Sequence, residues 1–483
     1  MYDLFANSIN FINNILWSYI LIGLLLGAGV YFTIRMKFGQ MRYFREMIRV
    51  LAEKPSFDKK DKNQISSLQA FMIGAATRIG TGNVAGVATA IAAGGPGAVF
   101  WMWLVAVLGG ATAFVESTLA QIYKVKDEVG YRGGPAYYIQ KQIGSKWMSR
   151  AFAIGIIVSF GLVFNSVQSN TIAEAFTGSF SINPMVIAIV LTVLTGVIIF
   201  GGVARIARFS EKVVPVMAVF YMVLALYVTF SNFTEIPAML LLIFKSAFGF
   251  EEVVGGGMGA AISMGVKRGL FSNEAGMGSA PNAAATAEVS HPVKQGFIQA
   301  MGVFFDTLLV CTATASIILL SGKQGSAELT GVNLTQAAMG EHFGSWAGGF
   351  LAIAILTFAF SSIVGSYYYG EANIGFVSKR KASLYVYRIA ALGMVAFGAL
   401  ASLQLVWSLA DLAMALMAFI NLVAILIIGK YAFAALRDYM EQRKQGKDPV
   451  FYAHKIEGLK GVECWQEDQE VGEQMGANKR EVS

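Results

Sequence analysis

Long apolar stretches alternate with short polar ones along most of the chain. A helix of about 20 apolar residues spans the hydrocarbon core of a bilayer, because lipid offers no hydrogen-bond partner to a free backbone N–H or C=O group. Eleven such runs are found, at residues 17–34, 68–93, 98–119, 151–176, 184–199, 213–230, 237–266, 297–321, 347–369, 384–403 and 406–432. The pattern predicts an all-α membrane protein with eleven transmembrane helices.

Glycine clusters interrupt the second and the seventh of these runs. They read RIGTGN at 78–83 and GGGMG at 255–259. Glycine tolerates unwound backbone at little steric cost, and broken helices at matching positions of two halves are typical of transporters built as inverted repeats. Counting from each break gives two halves of five helices, which point in opposite directions because five is odd. The alternative is that these glycines only allow close helix packing.

This count divides the chain into five parts. They are an extra N-terminal helix (1–36), a cytoplasmic loop with an interfacial helix (37–66), a first repeat (67–231), a second repeat (232–433) and a cytoplasmic tail (434–483). Each repeat begins with a broken helix, so the predicted fold is of the five-plus-five, leucine-transporter type. The tail is polar and is expected to fray.

The distribution of Lys and Arg predicts the orientation of the chain in the membrane. Residues 35–62 contain nine of them, residues 124–150 six, and the stretch from Lys430 onward nine. Short loops rich in these residues stay in the cytoplasm. The pattern therefore predicts a plasma-membrane protein, in the inner membrane of a bacterium, with its N-terminus outside and its C-terminus in the cytoplasm.

Composition narrows the classes of function. Apolar residues make up 55% of the chain and charged residues only 14%, whereas about a quarter of a soluble chain is charged. The net charge of +7 follows from the basic loops, so no nucleic-acid partner is needed. No spacing suggests a catalytic set or a zinc site, so we expect neither an enzyme nor a cofactor. A channel is disfavoured because the polar residues form no repeated ring.

The first break offers groups suited to the carboxylate of a substrate. Unwound backbone frees N–H groups, here those of Gly80, Thr81 and Gly82. Polar side chains inside a membrane are costly and usually functional. Gln168 and Asn165, three residues apart on one helical face, are therefore candidate contacts for the polar end of a substrate. Hydrogen bonding between helices is the structural alternative for this pair.

The same break offers oxygen ligands for a cation. The carbonyls of Ala76 and Ile79 precede the glycines, and hard cations take oxygen ligands. Ser361 and Ser362 are adjacent hydroxyls in an otherwise apolar helix and are the natural partners from a second helix. Alternatively, each serine bonds only to the carbonyl one turn earlier.

Several charged residues also fall inside apolar runs. Arg78 lies at the break and is predicted to brace the unwound backbone, with a partner that the sequence does not identify. Glu116 and Asp306 are open to a proton-relay or gating role.

Four strings carry a resemblance to a known family. They are GTGNVAGVATAIAAGGPGAVFWMWLVAVLGG (80–110), GGPAYYI (133–139), FSEKVVPVMA (209–218) and RGLFSNEAGMGSAPNAAA (268–285). Together they closely resemble the alanine/glycine:cation symporters, also called sodium:alanine symporters, of the amino acid, polyamine and organocation superfamily. The resemblance implies a substrate site between the two broken helices, which adds Gly256, Met258 and Ile262. It also adds the Phe358 carbonyl to the cation site.

The expected function is sodium-coupled import of a small neutral amino acid. Sodium serves as the coupling ion, the bilayer is the other partner, and the oligomeric state stays open. Met258 and Ile262 are expected to keep the pocket small enough for alanine or glycine. One alternative keeps the fold but couples to protons through Glu116 or Asp306. The other is a nutrient receptor that binds without transport.

Overall fold

A computed structural model describes residues 2–53, 65–127, 130–201, 203–250, 257–325 and 329–466. Within these ranges nearly all regular structure is helical, with one short hairpin. The elements are α1 (Asn7–Arg35), α2 (Gly39–Arg42), α3 (Phe44–Leu51), α4 (Ser67–Arg78), α5 (Gly82–Gly94), α6 (Ala98–Ile122), β1 (Val125–Asp127), β2 (Gly130–Arg132), α7 (Pro135–Tyr138), α8 (Lys146–Phe180), α9 (Pro184–Ile199), α10 (Val203–Ser231), α11 (Ile236–Ala247), α12 (Met258–Asn273), α13 (Ala280–Ala284), α14 (Pro292–Leu320), α15 (Gly331–Phe343), α16 (Trp346–Val377), α17 (Lys381–Leu400), α18 (Leu403–Ile428) and α19 (Lys430–Lys444).

The helices form a bundle with an apolar outer surface. Among the described residues, seven helices are long and apolar enough to cross a membrane, or eight if α11 and the preceding part of α10, bent by 75°, form one span. Val193, Val219 and Ile389 stand exposed on α9, α10 and α17, as expected for side chains that face lipid. The prediction of an all-α, multi-pass membrane protein is confirmed. The count of eleven and the inverted repeat, including its division of the chain, stay predictions.

The first break lies where the sequence predicts it. α4 ends at Arg78, Ile79 and Gly80 are unwound, and helical backbone resumes at Thr81, the N-cap residue of α5. Ile79 has ψ near 87°, outside the helical region. α4 starts with a capping box, in which Ser66 and Gln69 satisfy each other's backbone N–H groups. α4 is thus capped at its N-terminus, and its helical conformation ends at the break.

A second break among the described residues lies after α12. α12 ends at Asn273 and α13 begins at Ala280. Between them Glu274, Gly276 and Gly278 adopt positive φ angles of 60°, 91° and 80°, a conformation that ends a helix and that glycine adopts most readily. Here the backbone leaves the helical conformation, and it becomes helical again only for the single turn of α13.

The predicted break at 255–259 lies partly outside the described residues. Residues 251–256 lie outside the described residues, Gly257 is extended, and Met258 starts α12. The seventh apolar run therefore contains two helices, α11 and α12, and a break between them at 255–259 stays a prediction.

The two breaks meet in the interior of the bundle. A Cβ atom added at Gly82 would lie 3.0 Å from the Ser272 Cα atom and 3.1 Å from the Phe271 ring. Only a glycine allows this approach of α5 to the end of α12. α6 lies behind both elements and packs against α12 and α14. The backbone groups released by both breaks are thereby gathered in one region.

The tail packs against the protein as far as residue 466. Phe451 and Trp465 are buried, with the Phe451 N–H donating to the Ser290 carbonyl (3.0 Å) and the Trp465 Nε1 to the Gln121 carbonyl (2.8 Å). The prediction of a frayed tail is wrong for this stretch, because its aromatic residues find an apolar surface that only the assembled bundle supplies. Residues 467–483 lie outside the described part of the chain.

The tail also covers His291, immediately before α14. The imidazole is fully buried; its Nδ1 accepts from the Val293 N–H (3.2 Å), and its Nε2 lies 3.2 Å from Asp438 Oδ2. Burial lowers the pKa of His291 below its usual value, although Asp438 opposes this shift. The folded protein therefore binds fewer protons than the unfolded chain, and stability is lost as the pH falls below about 6.5.

We expect acidification from pH 7.5 to 5.5 to lower the melting temperature of the purified protein. The His291→Gln variant should weaken this dependence, because glutamine makes similar hydrogen bonds without titrating. His454→Gln, at an exposed position, is the matched control and should behave as wild type. Equal pH dependence in all three proteins would contradict the assignment.

Candidate functional site

Side chains from two other elements hold the unwound segment of the first break. The Gly80 N–H donates to Asn83 Oδ1 (3.0 Å), and the Thr81 N–H donates to Gln168 Oε1 (3.1 Å) on α8. All four residues are buried. The Thr81 hydroxyl is also buried and has no hydrogen-bond partner in the described part of the chain. Gly80, Thr81 and Gln168, all predicted for the substrate, thus lie together. The Thr81 N–H and hydroxyl are donors from which a carboxylate would accept hydrogen bonds.

Oxygen atoms from α4 and α16 converge on the other face of this segment. Ser362 Oγ lies 2.8 Å from the Ala76 carbonyl, 3.4 Å from that of Ile79 and 3.1 Å from that of Phe358. Ser361 Oγ donates to the Phe358 carbonyl (2.8 Å). The five residues predicted for the cation therefore share one small region. Ser361 makes the backbone bond that was the structural alternative, whereas Ser362 reaches across to α4.

Gly80 separates these two sets of groups. A Cβ atom there would overlap Ser362 Oγ and would lie 3.0 Å from Gln168 Oε1. The Gly80 backbone thus contacts Gln168 on α8 on one side and the Ser362 hydroxyl on α16 on the other.

Asp306 on α14 links the two breaks. Its Oδ1 accepts from Asn83 Nδ2 (2.6 Å), and its Oδ2 accepts from Ser272 Oγ (2.8 Å) and Thr307 Oγ1 (2.9 Å). Asn83 in turn binds the Gly80 amide. The sequence marks Asp306 as an intramembrane charge, but it does not identify Asn83 and Ser272 as its partners. Their positions beside the two breaks are the signal that could have done so.

Glu116 on α6 holds the second break. Its carboxylate accepts from the N–H groups of Gly276 (3.2 Å) and Gly278 (3.1 Å) and from Asn421 Nδ2 (2.7 Å). The carboxylate thus satisfies backbone donors that the positive φ angles leave outside any helix. These contacts give Glu116 a clear structural role.

Arg78 has no direct partner among the described residues. All three guanidinium nitrogens are buried without a hydrogen-bond acceptor, so no hydrogen bond from Arg78 to the unwound backbone supports the predicted bracing. Its charge is instead opposed at longer range by Glu116, Glu274 and Asp306. The buried Arg78 cation thus attracts carboxylates at both breaks.

Aromatic side chains that the sequence analysis did not select lie against the breaks. Phe271 stacks on Phe164 with ring centroids 4.6 Å apart and lies 4.7 Å from the Trp407 ring. Arg268 lies 4.2 Å from the same Trp407 ring and forms a buried ion pair with Asp411, 2.8 Å between Nη2 and Oδ2. Arg268 and Phe271 belong to the last turns of α12, so this cluster lies just before the second break.

Two described residues that were predicted for the substrate, Met258 and Ile262, lie away from the end of α12 that faces the first break. At 1.5 Å of rise per residue, Ile262 lies about 15 Å and Met258 about 21 Å along α12 from Ser272, the residue that faces Gly82. Gly256 lies outside the described residues. Contact of these residues with a substrate, and a pocket kept small by Met258 and Ile262, stay predictions.

Asn165 is buried in the same helix as Gln168, but its amide turns back along that helix. Its Nδ2 donates to the Gly161 carbonyl at 2.8 Å, one turn earlier. Its Oδ1 has no partner in the described part of the chain. Contact with a substrate stays a prediction for this residue.

Comparison with known proteins places the chain in a family. The sequence profile of the sodium:alanine symporter family matches residues 2–453. A probable sodium/glutamine symporter of Bacillus subtilis (strain 168) is 55% identical over 465 residues, covering 96% of this chain and 97% of the relative. An amino-acid carrier protein of the same organism is 55% identical over 470 residues, covering 97% and 100%. A sodium/alanine symporter of Methanococcus maripaludis is 37% identical over 449 residues, covering 91% and 98%. These relatives are transporters rather than enzymes, and the chain belongs to the sodium:alanine symporter family.

Proposed function

We propose that this protein imports alanine or glycine across the plasma membrane by coupling it to sodium. One observation carries the proposal. The Gly80 backbone lies between a side chain that binds an amide, Gln168, and a hydroxyl that gathers carbonyl oxygens, Ser362. An anion and a cation could therefore bind to opposite faces of one unwound segment.

The substrate carboxylate would occupy the face on which Gln168 now lies. The Gln168 Oε1 atom accepts from the Thr81 N–H, as a carboxylate oxygen would. We expect the substrate to displace this oxygen and to receive the free Thr81 hydroxyl as a second donor. Gln168 can then present its Nε2 donor to the same carboxylate.

Sodium would bind among the oxygens of Ala76, Ile79, Phe358, Ser361 and Ser362. In its presence both hydroxyls turn their lone pairs toward the ion instead of donating to the carbonyls. Because the ion and the carboxylate share the segment 79–81, each would favour the geometry that the other needs. This reciprocal preference is a coupling free energy between two ligands.

One ion for each cycle is sufficient to drive uptake. A unit charge that moves through 100 mV gains about 2.3 kcal/mol. That free energy supports accumulation of about fifty-fold, before any contribution from the sodium concentration gradient. The test is uptake of labelled alanine into proteoliposomes with an imposed sodium gradient. Uptake that persists without sodium at fixed pH would contradict the proposal.

Replacing Gln168 is expected to weaken substrate binding. The Gln168→Leu variant removes the Nε2 donor that would bind the substrate carboxylate. A hydrogen bond to a charged group contributes about 1.5–3 kcal/mol, so its loss corresponds to roughly a tenfold to hundredfold rise in the KM for alanine. The measurement is initial uptake rate against alanine concentration in proteoliposomes.

Thr171→Val is the matched control for this variant. Thr171 lies one turn further along α8 and donates only to the Val167 carbonyl within its own helix (3.0 Å). The control should keep a wild-type KM. Equal effects of the two substitutions would show that packing of α8, rather than contact with the break, controls uptake.

Glutamine is a second candidate substrate. It is favoured by the name of one relative, the probable sodium/glutamine symporter of Bacillus subtilis, which is 55% identical to this chain. Phe271 contacts both Phe164 and Trp407 beside the break. Competition of unlabelled glutamine against labelled alanine separates the candidates. We expect alanine to compete at lower concentration than glutamine.

Proton coupling and binding without transport would each give a distinct outcome in the same assay. Proton coupling is favoured only by the burial of Asp306 between the breaks, and it would appear as alanine uptake driven by a pH gradient without sodium. A nutrient receptor would bind alanine with no accumulation in the vesicles.

A further inference from the structure

A basic cavity lies outside the breaks, beside the hairpin. It has a volume of about 710 Å³ and is bounded by the hairpin β1–β2, the segment that follows it, the end of α16 and the start of α17. This size is within the range of pockets that hold small molecules, about 300–1,000 Å³. None of the residues proposed to bind substrate or sodium lines it.

Positive charge dominates the walls of the cavity. The cationic residues are Lys126, Arg132, Lys141, Lys379, Arg380 and Lys381, against the carboxylates of Asp127 and Glu371. Arg132 pairs with Asp127 (2.5 Å) and Lys141 with Glu463 (2.8 Å). The other four cations have no ion pair in the described part of the chain. An anion would therefore find several uncompensated charges around one cavity.

The start of α17 adds a second reason to expect an anion. Its N-cap residue, Arg380, makes no side-chain hydrogen bond to the helix, and the first turn contains no acidic residue. A helix N-terminus carries partial positive charge, so cations there repel it. Lys379, Arg380 and Lys381 nevertheless cluster at this end. An anion among them would bind free backbone N–H groups and relieve the repulsion.

We propose that this cavity binds a phosphate-bearing anion. A phosphate group carries about two negative charges and accepts several hydrogen bonds, which matches guanidinium and ammonium donors from two sides. Lys379, Arg380 and Lys381 contact it from the α16–α17 connection. Lys126 and Arg132 contact it from the hairpin. The phosphate comes either from a phospholipid headgroup or from a soluble phosphorylated metabolite.

Binding at this cavity restrains the helix that carries Ser361 and Ser362. The cavity wall includes Gly375 near the end of α16, and Arg132 packs directly on the Gly375 backbone. The Tyr137 and Phe376 rings also touch, with centroids 4.9 Å apart. An anion that joins the hairpin to the α16–α17 connection would hold the end of α16 in place. Occupancy is thereby coupled to movement of the cation-site helix.

The test compares two variants that lose the same charge. The first is Lys379→Gln/Arg380→Gln/Lys381→Gln, which removes three cations from the cavity. The control is Lys146→Gln/Arg150→Gln/Lys444→Gln, which removes three cations elsewhere on the surface. Pyrophosphate is added to each purified full-length protein, and the melting temperature and the binding heat are measured. We expect pyrophosphate to stabilise wild type and control, with at least about tenfold weaker binding to the cavity variant.

A second arm identifies the source of the phosphate. Melting temperature is measured in nanodiscs of phosphatidylcholine alone and with added phosphatidylglycerol, with and without pyrophosphate. A response to phosphatidylglycerol that the cavity variant lacks and the control keeps supports a lipid headgroup, and the same difference with pyrophosphate alone supports a soluble ligand. The proposal is overturned if the two variants respond equally, or if wild type responds to neither probe. Because no readout requires transport, failure here is distinct from failure of the proposed function.

Discussion

Replacing Gly80 by alanine is expected to abolish sodium-driven alanine uptake, to below about 1% of wild type. The added Cβ would overlap Ser362 Oγ and crowd Gln168 Oε1. Either the serine leaves the Ala76 and Ile79 carbonyls or the unwound segment moves away from α8. In both cases the cation half and the substrate half of the site can no longer form together.

Gly86→Ala is the matched control for this experiment. Gly86 lies in the same half-helix after the break, but the nearest atoms to an added Cβ are 3.7 Å away, which is ordinary contact. This variant should transport at a rate close to wild type. Gel filtration and melting temperature establish that both proteins are folded. Normal uptake by a folded Gly80→Ala protein would show that the segment 79–81 is not the transport site.

Removing the Ser362 hydroxyl is expected to raise the sodium concentration for half-maximal uptake by about tenfold to hundredfold. The estimate follows from the loss of one charge–dipole contact, about 1.5–3 kcal/mol. Ser362 is the larger contributor because its hydroxyl reaches carbonyls of both α4 and α16, whereas Ser361 touches only Phe358. Ser361→Ala should therefore have the smaller effect, and the double variant the largest.

Thr357→Val tests whether any lost hydroxyl on α16 has this effect. The Thr357 hydroxyl donates to the Ala354 carbonyl (2.7 Å) inside α16 and lies one turn before Ser361. Its removal should leave the sodium dependence unchanged. The cation assignment fails if the Ser361→Ala/Ser362→Ala double variant retains wild-type sodium dependence. Alanine uptake as a function of sodium concentration at constant ionic strength gives the comparison.

The sequence locates the first break and its partners because each carries a local signal. Gly80 and Gly82 interrupt an apolar run, and Gln168 and Ser362 are polar residues in helices that otherwise face lipid or other helices. A polar group at membrane depth is costly unless it is paired. Pairing between such residues could therefore be expected, although the distances could not.

The break after α12 carries no such local signal. The backbone leaves the helix at Glu274, Gly276 and Gly278, whereas the richest glycine cluster of the sequence stands at 255–259. These isolated positions look ordinary in sequence. They become a break because Glu116, on α6, satisfies two of the freed amides. No periodicity encodes a partner more than a hundred residues away.

The sequence by itself determined that the chain is a helical membrane protein, that its family is that of the sodium:alanine symporters, and where the first helix unwinds. These features depend on composition and on neighbouring residues, which determine burial in lipid and helix continuity. Only the tertiary structure decided that Gly80 separates Gln168 from Ser362, that Asp306 joins both breaks, and that the tail packs as far as residue 466. Each of these depends on side chains distant in sequence meeting in a buried space, where hydrogen bonds and close packing select the partner.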